Sequence, residues 1–476
     1  MMQLPHTLTS IVFYKDHYLM AWSNKGYSVY NDLFTTDDFL KDITKQLQDI
    51  RITSLAPGSE DILWLGTDGN GIMKLYPRTK PFGLIATSDN GMASNRPVRA
   101  FCEVNGSLWV ATKGSGIIAM SDFWAKKEPQ PRQYVNAPES LDNNSVYALT
   151  RGNDGLVYIG TDAKGIGVYD TRNKKFTKWN GVKGFDQYAE FGSVYAILQD
   201  DDQSLWLGTS GYGLVHLKIN RDNNGALSLG FLERFTFTNG DTGPANDIIY
   251  ALAKSGQQQL WIGCRYGGLS LLEKKTRRFK TFKAFTYNGS LSNNDVLSLF
   301  EDSRNRLWVG TSYGLNYLDT KDANLAAPQF KKFTTADGLP NNTVHAISED
   351  ASGQVWVSTN KGLAKINTAD GKIFYYQQAD GLQSNEFSDG AVWKDASGVL
   401  YFGGTYGFNH FLPQDIRRSA WQPKLLLSGL LMGGSDNGEN GYTVLDEATQ
   451  HQQSFSVSRK DNFFELDMKA ISFLNT

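Results

Sequence analysis

The stretch Leu205-Trp206-Leu207-Gly208-Thr209-Ser210-Gly211-Tyr212-Gly213-Leu214-Val215 decides how this sequence is read. Apolar residues fill its first half around a tryptophan, a Gly-Thr pair ends the run, small and polar residues follow, and a second apolar run begins at Leu214. This is the pattern of two short strands joined by a tight loop. The block recurs. Trp64-Leu65-Gly66-Thr67, Trp109-Val110-Ala111-Thr112, Tyr158-Ile159-Gly160-Thr161, Trp261-Ile262-Gly263-Cys264, Trp308-Val309-Gly310-Thr311 and Trp356-Val357-Ser358-Thr359 are clear copies. Tyr401-Phe402-Gly403-Gly404 is a looser copy and Leu19-Met20-Ala21-Trp22 a degraded one. From Trp64 onward the steps are 45, 49, 48, 55, 47, 48 and 45 residues, the period of one four-stranded propeller blade.

Four extended segments fit inside one period, as in Val344-Ile347, Val355-Thr359, Leu363-Ile366 and Ile373-Tyr376. The first two are separated by hairpin chemistry, for example Asp350-Ala351-Ser352-Gly353 or Asn153-Asp154-Gly155. A single blade cannot bury both of its faces, so the blades must stack around an axis, with the recurring tryptophan between them. The predicted fold is therefore an all-β propeller. Nine copies exceed the usual four to eight blades. The favoured division is seven blades over 96–415, with 1–95 as blade repeats finishing a preceding propeller and a helix-like stretch from Asp37 to Asp49. Eight blades starting near Ile50 is the alternative. Past Pro413 the repeat stops, and Lys424 to Leu431, Ser454 to Val457 and Phe464 to Met468 alternate like strands of a β-sandwich. A sandwich needs roughly 100 residues, so 416–476 is expected to be the incomplete start of one.

Composition narrows the function. Lys plus Arg number 47 against 49 Asp plus Glu, and no basic run offers an electrostatic footprint, so nucleic acid is not an expected partner. Cys102 and Cys264 are too few for a disulfide framework and lack the spacing of a zinc or redox pair. No stretch of about 18 apolar residues occurs, so contact with a membrane would need segments outside this sequence.

In a propeller, the loops between second and third strands and the connectors between blades emerge on one face, around the axis. The second-to-third loops supply Lys113, Lys164, Tyr212, Arg265, Tyr266, Tyr313, Lys361 and Tyr406. The connectors supply Asn143, Asn144, Asn246, Asn293, Asn294, Asn341, Asn342, Asn385 and Glu386. Rings that stack on sugar faces, beside amides and cations that bond hydroxyls or carboxylates, predict a saccharide site. Arg265 and Tyr266 lead this set because they break the repeat where small polar residues are usual. The connector asparagines have a second explanation, since Asn bonds neighbouring backbone in tight turns.

Enzymes also use propellers, so residues must decide. Ser348-Glu349-Asp350-Ala351-Ser352-Gly353-Gln354-Val355-Trp356 resembles a sialidase Asp-box with one extra residue, a motif that is structural in any case. His216, His345 and His410 fall in strands and read as packed neutral histidines, and Asp200-Asp201-Asp202 reads as a solvated hairpin turn rather than a calcium loop. No serine elbow or phosphate loop stands where a strand leads into a helix. Neither catalytic residues, metal ligands nor a cofactor are expected. A glycan-active lyase or glycosidase, built on an acid pair brought together by folding, and a protein-binding scaffold are the alternatives.

The string Asp337-Gly338-Leu339-Pro340-Asn341-Asn342-Thr343-Val344, with Glu349-Asp350 and Trp356, resembles the regulator-propeller repeat of the periplasmic sensors in Bacteroidetes hybrid two-component systems. Arg96-Pro97-Val98-Arg99-Ala100 leading to Trp109, and Asn143-Asn144-Ser145-Val146-Tyr147, are similar to the second of that family's two propellers. Phe402-Gly403-Gly404 with Gly407-Phe408-Asn409 and Pro413 resembles its last blade, and Pro423 to Phe473 the start of its immunoglobulin-like domain. The resemblance implies a periplasmic sensing region of an inner-membrane receptor that works as a homodimer. It also implies a histidine kinase and a response regulator beyond this sequence. The implied ligand is an oligosaccharide.

Overall fold

The computed structural model describes residues 7–22, 27–30, 47, 50–58, 62–75, 82–86, 96–121, 123–124, 130–184, 191–321, 325, 327–416, 425–434, 441–444 and 461–470. The chain divides into two units, Lys80–Ile416 and Met1–Thr79 with Arg417–Thr476.

The first unit is a seven-bladed propeller. Each blade is a four-stranded antiparallel sheet whose strands follow one another from the axis outward. Blades 1 to 6 span 98–134, 146–177, 194–235, 249–282, 296–333 and 344–376. Blade 7 takes three strands from one end, Phe387–Lys394, Leu400–Gly404 and Gly407–Phe411, and its outermost strand, Gly83–Ala86, from the other. Every innermost strand packs against the next, and that of blade 7 packs against Val98–Val104 of blade 1, so the ring is closed.

The strand Gly83–Ala86 corrects the expected boundary at residue 96. It pairs Gly407 with Ala86, Phe408 with Ile85, Asn409 with Leu84 and His410 with Gly83. Four residues carry too little periodicity to be recognised as a blade strand, which is why the repeat pattern began the ring too late. Phe82 anchors this strand between the rings of Tyr376 and Phe411, at 5.3 and 4.8 Å. Asn409 Nδ2 donates to the Gly83 carbonyl at 3.1 Å. A Cβ on Gly83 would stand 2.5 Å from the His410 ring, so only glycine fits there. The eight-bladed alternative is also excluded, because Ile52–Pro57, Leu63–Thr67 and Ile72–Leu75 form a separate three-stranded sheet in the other unit.

The recurring tryptophans are the seams between blades. Trp206 packs with Ile249, Leu260 and Ile262 of blade 4, and Trp308 with Val344, Val355 and Val357 of blade 6. Each brings a polar N–H into the core that needs an acceptor. In blades 3, 5 and 6 the hairpin aspartate supplies it. Trp206, Trp308 and Trp356 donate through Nε1 to Asp200, Asp302 and Asp350 at 2.9, 2.7 and 2.9 Å, and the Tyr401 hydroxyl donates to Asp395 at 3.0 Å. The other carboxylate oxygen of Asp302 and of Asp350 accepts backbone N–H groups of the same turn. One side chain thus closes the hairpin and fixes the seam. Asp200-Asp201-Asp202 is the expected hairpin turn with Asp201 and Asp202 exposed, but Asp200 is also structural. Asp200 holds Trp206 and the Lys274 ammonium of the next blade at 2.6 Å, while Asp201 pairs with Lys254 at 2.7 Å.

In the second unit, Leu8–Tyr14, His17–Trp22 and Tyr27–Tyr30 form one sheet. It shares a core of Leu19, Ala21, Ile52 and Leu63 with the sheet Ile52–Leu75. A third sheet orders Leu425–Gly434 between Gly441–Val444 and Asp461–Ala470. The expected helix at Asp37–Asp49 lies almost wholly outside the described residues, and the expected strand Ser454 to Val457 lies entirely outside them.

Asp302 is fully buried, with the Arg306 guanidinium at 2.7 Å and the Trp308 indole as partners. Replacing it with Ala strands both, and about 3–5 kcal/mol of stability should be lost. Urea unfolding of Asp302→Ala beside the exposed control Asp370→Ala checks this. Equal midpoints for the two variants would contradict the seam role.

Candidate functional site

Six of the innermost strands begin with the same irregularity. Their register shifts between the first and third residues, at Val98/Ala100, Val146/Ala148, Val194/Ala196, Ile249/Ala251, Val296/Ser298 and Val344/Ala346. A bulge there re-aims the second residue out of the ladder. The second residues are Arg99, Tyr147, Tyr195, Tyr250, Leu297 and His345, and most of them meet from blade to blade around the axis. Tyr147 stacks on Tyr195 and Tyr195 on Tyr250, each with centroids 4.4 Å apart. The Arg99 guanidinium lies 5.5 Å from the Tyr147 ring at one end, and that of Arg265 lies 4.6 Å from the Tyr250 ring at the other. The result is a row of three rings capped by two cations.

The row is completed by Asp389 of blade 7, whose carboxylate meets His345 Nδ1 at 2.6 Å and Arg99 at 3.7 Å. His345 Nε2 lies 2.7 Å from Asn360 Oδ1. Burial alone would raise the Asp389 pKa. The hydrogen bond and charge of His345, with the Arg99 and Arg265 charges, outweigh it and hold the carboxyl below its ordinary range. The Tyr147, Tyr195 and Tyr250 phenols are raised by burial, with their mutual interactions and nearby carboxylates contributing, and Tyr250 is pushed up to about 12. They remain protonated donors near neutral pH.

Arg265 and Tyr266 join this row. The Arg265 guanidinium grips Asp295 through Nε and Nη2, and it lies 5.1 Å from the Tyr266 ring. Tyr266 sits in the left-handed region at φ 58° with 69 % of its surface exposed. Two residues past the end of the second strand, Gly114 in blade 1 and Gly211 in blade 3 share this left-handed backbone, at φ 112° and 89°, whereas Ala163, Tyr313, Lys361 and Tyr406 of blades 2, 5, 6 and 7 do not. A tyrosine held in the left-handed region, its ring in solvent, costs stability that packing does not return.

The other expected residues each stand on their own blade's loop at the rim. Tyr212, Tyr313 and Tyr406 are 38, 56 and 59 % exposed, and Lys113, Lys164 and Lys361 are exposed as well. Tyr212 is the most covered of these tyrosines, with the Arg234 guanidinium 5.7 Å from its ring. The connector asparagines follow the turn explanation. Asn143, Asn246, Asn293 and Asn341 accept from the backbone two residues on, and Asn144, Asn294, Asn342 and Asn385 accept from earlier loop backbone. His216, His345 and His410 all lie in strands. Gly310-Thr311-Ser312-Tyr313-Gly314 has the letters of a serine elbow, but it joins two strands and Ser312 Oγ is spent on Asp295.

What the sequence reading missed is the ring row itself. Its signal was present as Val146-Tyr147-Ala148, Val194-Tyr195-Ala196 and Ile249-Tyr250-Ala251, one per period. Alternation assigns no face to a bulged residue, so these tyrosines read as ordinary strand. Among the described residues no group of His, Cys, Asp and Glu is arranged to hold a metal ion.

The fold and this axial mouth define a seven-bladed β-propeller with an aromatic and charged rim. Residues 190–211, 290–313 and 338–361, in blades 3, 5 and 6, match the two component regulator propeller repeat. Over 393 residues, 79 % of its length, the chain is 25 % identical to Histidine kinase P4 of Formosa agariphila, and it spans 23 % of that protein. In fold it is similar to the extracellular domain of a hybrid two component system from B. thetaiotaomicron, at 22 % identity and TM-score 0.69, covering 97 % of this chain and 59 % of that one. It is also similar to the extracellular domain of a one component system from the same organism, at 20 % identity and TM-score 0.58, covering 89 % and 55 %.

Two outcomes are expected. Tyr266→Gly relieves a left-handed side chain and should leave the thermal midpoint unchanged or raise it, the free-energy gain being up to about 1 kcal/mol. A lowered midpoint would make Tyr266 a packing residue. Because the Asp389 pKa is depressed in the fold, its contribution is present above the unfolded value of about 3.9 and lost as pH falls through the folded value. Asp389→Asn should therefore flatten the loss of stability between about pH 5 and pH 2.5, read by urea unfolding.

Proposed function

We propose that this chain is the ligand-sensing part of a two-component receptor, that it works in the periplasm, and that its ligand is an oligosaccharide bound at the axial mouth. The observation that carries this reading is Tyr266, an exposed ring held in the left-handed region beside the Arg265 and tyrosine row. Stacked rings and phenol donors suit a sugar's C–H face and hydroxyls. Arg99 and Arg265 are each answered by a carboxylate, so aromatic surface rather than net charge dominates the mouth. The exposed Lys113, Lys164 and Lys361 give the rim room for an acidic substituent.

The glycan-cleaving alternative is less well supported. A glycosidase needs one carboxyl that keeps its proton near neutral pH. Asp389 is held ionised and Asp295 is gripped by Arg265.

Signalling follows from differential affinity. In a homodimeric receptor, an oligosaccharide that binds one arrangement of the two propellers more tightly shifts the pair toward it, and the segments beyond this chain carry the change to a kinase. A ligand with equal affinity for both arrangements would activate nothing.

The test is calorimetry with oligosaccharides graded in length and charge. The Arg265→Ala/Tyr266→Ala variant should bind at least about ten-fold more weakly with its fold intact. Unchanged affinity would remove the axial mouth as the site, and new reducing ends in the mixture would favour the enzyme.

A further inference from the structure

Blade 3 differs from its neighbours on the side away from the axial loops. Its third and fourth strands, Leu214–Arg221 and Leu227–Phe235, are 8 and 9 residues long, against 6 and 5 for Gly268–Glu273 and Arg278–Phe282 of blade 4. The longer strands wall one side of a cleft of about 750 Å³. The opposite side is the first hairpin of blade 4, with Gln257 and Gln258, and its outer turn, with Lys274 and Arg277. That hairpin, like that of blade 1, lacks the aspartate present in the other five blades. Ser255-Gly256-Gln257-Gln258 leaves Trp261 Nε1 buried without a hydrogen-bond partner.

The floor of the cleft is an aromatic platform. The His216 ring lies flat on Trp206, with centroids 3.8 Å apart and planes within 1°. Both ring nitrogens are tethered, Nδ1 to Glu233 Oε1 at 2.7 Å and Nε2 to Ser204 Oγ at 2.8 Å. Burial lowers the His216 pKa against the pull of Glu233, so the imidazole is neutral at neutral pH. Phe231 stands edge-on to it at 5.0 Å and is 38 % exposed.

Ser204, His216 and Glu233 have the connectivity of a hydrolase triad. The serine is fully buried and shared with Asp202, however, so no substrate carbonyl could reach it. The row orients a ring; it does not activate a nucleophile. Three of the four carboxylates around the cleft are paired with cations, Asp200 with Lys274, Asp201 with Lys254 and Glu233 with Arg277. What remains for a ligand is a fixed aromatic floor, two exposed side-chain amides and the outer N–H groups of the half-exposed Arg277.

We propose that the cleft between blades 3 and 4 is a second saccharide subsite that takes a neutral pyranose unit, its C–H face on Phe231 and His216 and its hydroxyls on Gln257, Gln258 and Arg277. A neutral ring fits because Asp200, Asp201 and Glu233 are each paired with a cation and the Asp202 carboxylate is taken by the Ser204 hydroxyl and backbone N–H, and a polyhydroxylated one fits because amide and guanidinium donors ring an apolar floor. The first strand-to-strand hairpins lie at the opposite end of the blades from the second-to-third loops, so this subsite is separate from the axial mouth. The proposal rests on the saccharide-sensing reading for its ligand class.

The experiment titrates cellotetraose, xylotetraose and mannotetraose by calorimetry into the chain, into Phe231→Ala/Gln258→Ala and into Tyr266→Ala. Thermal melts confirm that each variant is folded. Two binding events are expected for at least one sugar, with the cleft variant losing one at least ten-fold and Tyr266→Ala losing the other. If Tyr266→Ala removes all binding while the cleft variant binds like the parent, the subsite is overturned and the axial reading stands. If the cleft variant removes all binding and Tyr266→Ala changes nothing, the subsite stands and the axial mouth falls. No binding of any of the three to the parent chain overturns the subsite. Binding of longer or charged oligosaccharides in that case would leave the sensing reading intact.

Discussion

Ring closure is the constraint on which the rest of this structure depends. Gly83–Ala86 supplies the outer strand of a blade whose other three strands come from 387–411, so the first and last parts of the ring hold each other by main-chain hydrogen bonds. A stack of blades without that pairing would expose two sheet edges and leave the Phe82, Tyr376 and Phe411 cluster open to water. With it, each blade has two neighbours and the seven innermost strands face one axis.

That geometry converts small local features into a site. A one-residue bulge at the start of an inner strand is a minor event in an isolated hairpin. Repeated around a closed ring, it gathers Arg99, Tyr147, Tyr195, Tyr250 and His345, which are 246 residues apart at their extremes (345 minus 99), into one continuous row with Asp389. The row is rigid because its charges are internally answered and its rings support one another. A sensor needs such a fixed surface if binding energy is to be spent on changing an arrangement rather than on ordering the site.

The same logic separates residues that hold the scaffold from residues that are free to meet a ligand. The hairpin aspartates and connector asparagines are polar and recur, yet their oxygens are committed to indole, hydroxyl and backbone donors of their own blades. Tyr266 and Phe231 keep exposed rings.

The sequence by itself determined the blade. Period, alternation and turn residues are local properties, so the four-stranded unit and its tryptophan seam could be read from Trp64 to Tyr401, and Arg265 with Tyr266 could be singled out as a break. The tertiary structure alone decided where the ring closes, because Gly83–Ala86 is too short to carry a pattern and finds its partner more than 300 residues away. It also decided which side chains face the axis, since a bulge cancels the alternation by which a strand's faces are assigned. The cleft beside blade 3 was illegible for a related reason: His216 reads as a packed strand residue until Trp206, Ser204 and Glu233 are brought around it. Local backbone preference writes the blade; only closure of the ring brings distant blades' side chains together.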